Sequence, residues 1–410
     1  MTTPVYDALV IGGGPAGSAT ALLLAQAGWS VVLVERKEFP RQKVCGEYLS
    51  ATNLPLLDRL GVGEAFRQEA GPPVKKVGLF AGPSSLEADL PKPTDEWGRA
   101  LSRRRLDTLL LNHARQAGAH VHQPWSVQSV ARQRGDDFQC GIQSVTTSAS
   151  SLLTARVVVA AHGSWEPGTL ATQTPRRPAA LADLLGFKCH FEGSTLAPGL
   201  MPLLAFPGGY GGMVHCEENR VSLSCCVRRD QLAALRRTFR GDAGDAIVGY
   251  IQSNCAGVRD ALASARRAGP WLAAGPIRPG IRATERNGIF LVGNAAGEAH
   301  PVIAEGISIA LQSAWLLSDK LISWKRQGGS PLQLSALAGA YAADWHRHFA
   351  YRIHVSNVIA AWAMCPTAVA CALPLLRGCP RLLTWFARQS GKARISRPSP
   401  RTPRPSFFGT

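Results

Sequence analysis

A chain of 410 residues with 46% apolar composition can bury one large core or two to three packed units, and wholesale disorder is excluded. Its formal charge of +17 raises nucleic acid as a partner, but no recognition motif and no interleaved basic and aromatic stripe accompanies it, so nucleic-acid binding is not expected. The ten cysteines form no Cys-x-x-Cys and no zinc-type spacing with histidine, so no metal site is expected and mostly buried, reduced thiols in a cytoplasmic protein fit best.

The opening MTTPVYDALVIGGG has no basic n-region and no small-residue cleavage site after an apolar stretch, so no signal peptide is expected. YDALVI (6–11) predicts a short buried strand, residues 15–27 an Ala/Leu-rich helix stopped at Gly28, and WSVVLVE (29–35) a second strand. A strand, turn, helix and strand in that order make a unit with parallel strands. RRLDTLLLNHARQA (104–117) predicts an amphipathic helix, and SLLTARVVVAAHG (151–163) a buried strand ending in a turn. From about 172 to 285 the chain turns to alternating, Pro/Gly-punctuated runs such as FKCHFEG and RVSLSCCV. These predict a β-rich unit with helices near 230–240 and 245–265. IFLVG and EGISIALQSAWLL then return to strand, loop and helix, and residues 331–390 are expected to be helical. Within them, 355–376 is 22 residues without a charge but holds Pro366 and Pro374. A membrane span, an interfacial helical hairpin and ordinary core helices all remain open for it. The Pro-, Arg- and Ser-rich tail 391–410 is expected to be disordered.

The strongest local signal is Gly12-Gly13-Gly14-Pro15-Ala16-Gly17 between the first strand and helix. Gly12 allows the tight turn, Gly14 admits a pyrophosphate against the backbone, and Gly17 lets helix and strand approach. Pro15 and Ala16 open a helix whose N-terminal N–H groups and dipole attract phosphate. Glu35 ends the second strand 18 residues after Gly17, where an acid can bind ribose hydroxyls. Arg36 could meet a 2′-phosphate, although a solvated strand-end arginine is the simpler reading. Dinucleotide binding follows.

Gly293-Asn294-Ala295-Ala296-Gly297 sits after IFLVG, and His300-Pro301 and Gly306-Ile307 follow it into a long helix. With the first motif, this resembles the flavoprotein monooxygenase superfamily of the para-hydroxybenzoate hydroxylase fold, whose second FAD fingerprint is Gly-Asp-Ala-Ala, then Pro and Gly at this spacing. The resemblance implies FAD, held here by Gly293, Asn294 and Ala295, with Gly306 and Ile307 facing the isoalloxazine. Asn294 stands where the family usually has Asp; its carbonyl oxygen can still accept from a ribityl hydroxyl. His162, where the middle fingerprint usually has Asp, is expected to be a turn or packing residue. Arg103, ahead of Leu106 and Asp107, is by resemblance the arginine that reaches FAD, with Arg104 and Arg105 competing for that role.

Lys43-x-Cys45-Gly46-Glu47-x-Leu49-Ser50 looks like the geranylgeranyl reductase-like branch with its hydroxylase and halogenase relatives, and places Cys45 and Gly46 beside the flavin. The halogenases' Trp-x-Trp-x-Ile-Pro signature does not occur. The reductases' Tyr-x-Trp-x-Phe-Pro has its nearest counterpart in LAFPGGYGG, which keeps Phe206-Pro207 but not the aromatic pair. Tyr210 in that run, His300 on the flavin-facing loop and Cys45 are the catalytic candidates, Cys45 mainly as a small residue packed near the ring. There is no second G-x-G-x-x-G opening a helix, so electrons are expected from transiently bound NAD(P)H or a partner reductase.

The expected fold is α/β: a Rossmann-like FAD-binding domain (1–171 and 286–330), an inserted β-rich substrate domain (172–285), a C-terminal helical region (331–390) and the tail. The expected function is an FAD-dependent oxidoreductase, with hydroxylation of a hydrophobic isoprenoid or polyketide-type phenol placed first. Double-bond reduction or dehydrogenation comes second, and a non-catalytic flavoprotein or electron carrier third. A cytoplasmic location, with peripheral association at the inner face of the membrane, completes the expectation.

Overall fold

A computed structural model describes residues 4–387 except 91–95, 166–167, 174, 176 and 240. The tail 391–410 and residues 388–390 of the helical region lie outside the described residues.

The first sheet is built on β1 (Val5–Ile11), an apolar strand whose last four residues are buried. Next to it, in parallel, lie β2 (Val31–Val34) on one side and a later strand, Ser150–Ala160, on the other. The helix α1 (Pro15–Gln26) joins β1 to β2, with Pro at its start where the missing N–H costs nothing. Two strands from the substrate-sheet region come next in the chain, β3 (Lys76–Ala81) and β4 (Ser84–Asp89), followed by helix α2 (Arg103–Gln116). Ser102 caps α2 by accepting from Arg105 N, and Leu106, Leu110, Leu111 and Ala114 at helical spacing bury its inner face. Strand β5 (His120–His122) extends the first sheet beyond β2. Strand β6 is Ser150–Ala160, paired in parallel with β1.

The second sheet runs β7 (Leu184–Glu192), β10 (Val221–Arg228), β9 (Gly209–His215), β8 (Leu200–Phe206), then β3 and β4, with β8 parallel to β3 and the other neighbours antiparallel. It therefore draws β3 and β4 from the stretch that sequence assigns to the cofactor unit. Alternation in the hairpin strands buries one face on helices Ala243–Asn254 and Ala256–Ala261. The single helix expected over 245–265 is two, because Cys255 leaves helical geometry to pin the chain to the β3–β4 turn. Ala256 N donates to Gly82 O (2.8 Å) and Gly82 N to Asn254 O (2.8 Å).

The chain returns to the first sheet at β11 (Ile289–Leu291), parallel to β6, and enters the 21-residue helix α3 (Gly306–Arg326) against α1. The C-terminal region is three helices, α4 (Pro331–Ala363), α5 (Pro366–Gly378) and α6 (Arg381–Ala387). Pro366 opens α5 at its N1 position, so the uncharged run 355–376 is split between α4 and α5, which meet at 100°. No single helix among the described residues is long and apolar enough to cross a membrane.

Candidate active site

The turn after β1 brings three glycines under a long cleft, and two of them are required sterically. Gly12 has φ +103°, and a Cβ there would lie 2.8 Å from Ala161 O. A Cβ on Gly17 would sit 1.8 Å from Gly12 O, so α1 could not pack on the turn. Gly12, Gly14, Pro15 and Ala16 form the cleft floor, and Glu35 and Arg36 stand at one end. The Glu35 carboxylate is oriented by the loop itself: Gly13 N donates to Oε2 (2.6 Å) and Lys37 N to Oε1 (2.7 Å). Each oxygen keeps a second acceptor site. Arg36 is exposed at the rim.

The start of α1 has no side-chain cap, and two guanidinium groups converge on it. A Cβ on Gly14 would lie 3.6 Å from Arg41 Nη2 and 3.8 Å from Arg103 Nη2. Asp107, fully buried one turn along α2, holds both cations: Arg103 Nε and Nη2 at 2.7 and 2.9 Å, Arg41 Nη2 at 3.3 Å. Arg103 is the buried member of the run; Arg104 is exposed, and Arg105 turns away to Glu69 and Glu218. Arg41 Nε is buried with no hydrogen-bond partner, a donor that a phosphate at the helix N-terminus would satisfy. These residues fit the diphosphate of a dinucleotide. Arg41→Ala is expected to raise the FAD dissociation constant about tenfold to a hundredfold, the loss of a charge-assisted contact. Titration of the apoprotein with FAD measures this; unchanged affinity would remove Arg41 from the site.

At the far end, Asn294, Gly306 and Ile307 line the cleft, while Gly293 and Ala295 lie behind it. Gly293 packs on Ala16, where a Cβ would come within 2.9 Å of the alanine methyl. Asn294 Nδ2 donates to Glu298 Oε1 (3.2 Å), leaving its carbonyl oxygen as acceptor for a sugar hydroxyl. Glu298 is buried and also accepts from Ser164 Oγ (2.7 Å) and Trp165 Nε1 (2.9 Å), so it ties the middle fingerprint loop to the second one. His162 bridges Gly163 O (2.9 Å) and Thr172 Oγ1 (3.1 Å) in its turn and also lines the cleft. Glu305 occupies the N-cap position of α3 but makes no capping bond; its carboxylate lies 3.5 Å from buried Arg352 of α4.

The loop RQKVCGEYLS separates this cleft from a second cavity. Cys45 and Gly46 line both, as do Trp165 and Pro301. The second cavity is walled by Val77, Met201, Leu203, Tyr210, Ile359 and Phe386, among others. Tyr210, at the β8–β9 hairpin, is buried, and its hydroxyl lies 2.9 Å from His300 Nδ1. His300 itself stands behind the wall, its backbone N–H held by Ser356 Oγ (2.9 Å). Burial pushes the His300 imidazole down to about 4, so it is neutral at physiological pH. Burial and the neighbouring Cys226 push the Tyr210 phenol well above its ordinary value. The phenol and the imidazole are thus both neutral and are joined by one hydrogen bond. Cys45 accepts a bond from Glu47 N at 3.4 Å and, like the other nine cysteines, is unpaired.

Sequence reasoning did not foresee what anchors that loop. Glu47, at φ 63°, points its carboxylate into the second sheet, where Lys188 Nζ and His190 Nε2 (2.7 Å) of β7 bind it. Arg103 N donates to the same carboxylate at 2.9 Å. Lys188 is 2% exposed. Burial raises the Glu47 carboxyl, but Lys188 and His190 outweigh it and hold it down to about 2. The Cys216 thiol also comes within 4.8 Å of the Glu47 and His190 ligand atoms. Burial pushes that thiol up, and the lysine already neutralises the carboxylate, so the cluster is an ion-pair anchor. A mid-strand lysine between apolar residues, FKCHF, was the signal available.

Residues 5–186 match the family described as FAD binding domain. The chain is 26% identical over 414 residues to conditioned medium factor receptor 1 of Dictyostelium discoideum, covering 94% of this chain and 77% of the relative. It is 26% identical over 336 residues to digeranylgeranylglycerophospholipid reductase 1 of Methanopyrus kandleri, covering 75% and 77%. In fold it is similar to a myxobacterial chondrochloren halogenase, with TM-score 0.73 and 23% identity over 86% of this chain and 82% of that one. A geranylgeranyl bacteriochlorophyll reductase-like protein from Thermoplasma acidophilum gives TM-score 0.66 and 18% identity over 95% and 100%. With a dinucleotide cleft built from both fingerprints, the chain carries an FAD-binding domain and shares the fold of these flavoenzymes, with geranylgeranyl reductases and halogenases among the proteins it is similar to, and it is an FAD-dependent oxidoreductase.

Proposed function

We propose that the protein is a monooxygenase that hydroxylates a hydrophobic phenol, with reducing equivalents from NAD(P)H or a partner reductase. The observation that carries this is Tyr210 in the wall of a largely apolar cavity, its hydroxyl 2.9 Å from His300 behind it. An isolated isoprene double bond offers nothing for such a pair to bind. A phenolic head does, through its hydroxyl, while an alkyl or prenyl chain fills the space along Val77, Met201 and Ile359. The bound FAD would supply hydride transfer or oxygen activation. The protein's part is to orient the ring against Cys45 and Gly46, to exclude water, and to hold the substrate's hydroxyl by a hydrogen bond at Tyr210.

Mixing the pre-reduced, FAD-loaded protein with isotopically labelled oxygen and an alkylphenol tests the reading. Labelled oxygen in the product is expected; turnover that proceeds without oxygen would overturn it. Tyr210→Phe is expected to lower that turnover about tenfold, the usual scale for a lost orienting hydrogen bond, with the flavin spectrum unchanged. An undiminished rate would remove the pair from the chemistry. A second reading, reduction of an isoprenoid double bond, is favoured by the similarity to the Methanopyrus reductase. It predicts oxygen-independent saturation of a polyprenyl substrate supplied in place of the alkylphenol.

A further inference from the structure

We infer that the outer face of α4–α6 is a docking surface for an anionic lipid bilayer, through which the proposed hydrophobic substrate reaches the cavity; the second clause rests on the reading above. Among the described residues, α4–α6 carry exposed large apolar side chains at Tyr351 (51% exposed), Val358 (70%), Leu375 (69%), Leu382 (37%), Trp385 (51%) and Phe386 (44%). Leu382, Trp385 and Phe386 are spaced to share one face of α6. Such a collection on a water-exposed surface calls for a partner.

The occupant follows from charge and position. Residues 345–410 contain ten lysines and arginines and no aspartate or glutamate. Six of the ten follow Ala387, immediately after α6. A basic, acid-free sequence that continues from exposed Trp, Phe and Leu matches an anionic headgroup layer over acyl chains. α4 and α5 have the length and apolarity of a span only as a pair, and their 100° bend breaks the run, which suits a surface-lying arrangement. The helices are fastened to the substrate sheet, not loose: Arg377 Nη2 donates to Ser84 Oγ (2.6 Å) and Thr384 Oγ1 to Asp89 O (2.7 Å). Phe386 both lines the cavity and is 44% exposed, so the cavity edge lies on this face.

Vesicle flotation of the full-length, FAD-loaded protein tests the surface without any substrate. Binding is expected to phosphatidylcholine vesicles containing phosphatidylglycerol, with much less to phosphatidylcholine alone. The double variant Leu375→Ser/Trp385→Ser is expected to reduce the bound fraction about tenfold, as loss of two inserted side chains requires. Its flavin spectrum and its turnover of a detergent-dispersed substrate should match the wild type. Wild-type protein that fails to float with anionic vesicles, or a double variant that floats equally well, would overturn the inference. So would a variant that changes only the oligomeric state, which would make this face a contact between copies. Because flotation needs no turnover, failure of the surface and failure of the hydroxylase reading are separable.

Discussion

Glu47→Ala is expected to destabilise the folded protein by about 3–5 kcal/mol, the scale for stripping one partner from a buried ion pair. Glu47 is 1% exposed and Lys188 2%, so the pair is shielded from bulk solvent. The lysine is left charged in the core beside His190, and the loop that carries Cys45 and Gly46 loses its tether to β7. Replacing both ends, Glu47→Leu with Lys188→Met, should recover much of that loss, because the uncompensated charge is what costs. The same pair sets a pH signature. Glu47 titrates near 2 when folded against an ordinary value of 4.5, so its contribution is complete above about 4.5 and fades as pH falls toward 2. The stability gap between wild type and Glu47→Gln should therefore be constant at neutral pH and close in acid. Denaturant melts at a series of pH values measure it; a gap that widens as pH falls would refute the assignment of the pair.

The cofactor half of the molecule was legible because its signals are local. Gly12, Gly14 and Gly17 act through backbone geometry within one turn, and Glu35 through the end of the adjacent strand, so spacing alone places them. Asn294 was legible as a position and opaque as a choice. Its reason is Glu298, 3.2 Å away and buried: an aspartate at 294 would set two carboxylates against each other, whereas the amide donates to one. Nothing local in the sequence singles out Glu298, because its partners Ser164 and Trp165 lie more than 130 positions earlier. The Tyr210–His300 pair spans 90 positions and Glu47–Lys188 spans 141. Each residue of the first pair was a candidate by itself, but pairing is a property of how the two sheets meet. Periodicity describes an element's own faces and carries no information on which element it faces. The same limit explains β3 and β4, whose alternation is ordinary for a strand and silent about which sheet they join.

Gly17→Ala is expected to abolish FAD retention and to destabilise the protein by about 3 kcal/mol, the upper range for overpacking a close contact. The added methyl would lie 1.8 Å from Gly12 O and 3.1 Å from the Ala161 side chain. Neither neighbour can yield cheaply. Gly12 is itself held at φ +103° against Ala161 O, and its N–H is bonded to Val34 O at 2.8 Å, so the turn cannot retreat from the helix. Relief must come from α1 moving off the sheet, which carries the N-terminal donors away from Arg41 and Arg103 and dismantles the anion site from both directions. Gly249→Ala is the control. It lies within the helix Ala243–Asn254 with nothing within 4 Å of the new methyl, and should stabilise by about 0.5–1 kcal/mol. Flavin absorbance of the purified variants, with thermal melts of each apoprotein, reads both effects. A Gly17→Ala protein that kept its flavin would mean that α1 need not pack this closely on the turn for the diphosphate to be held.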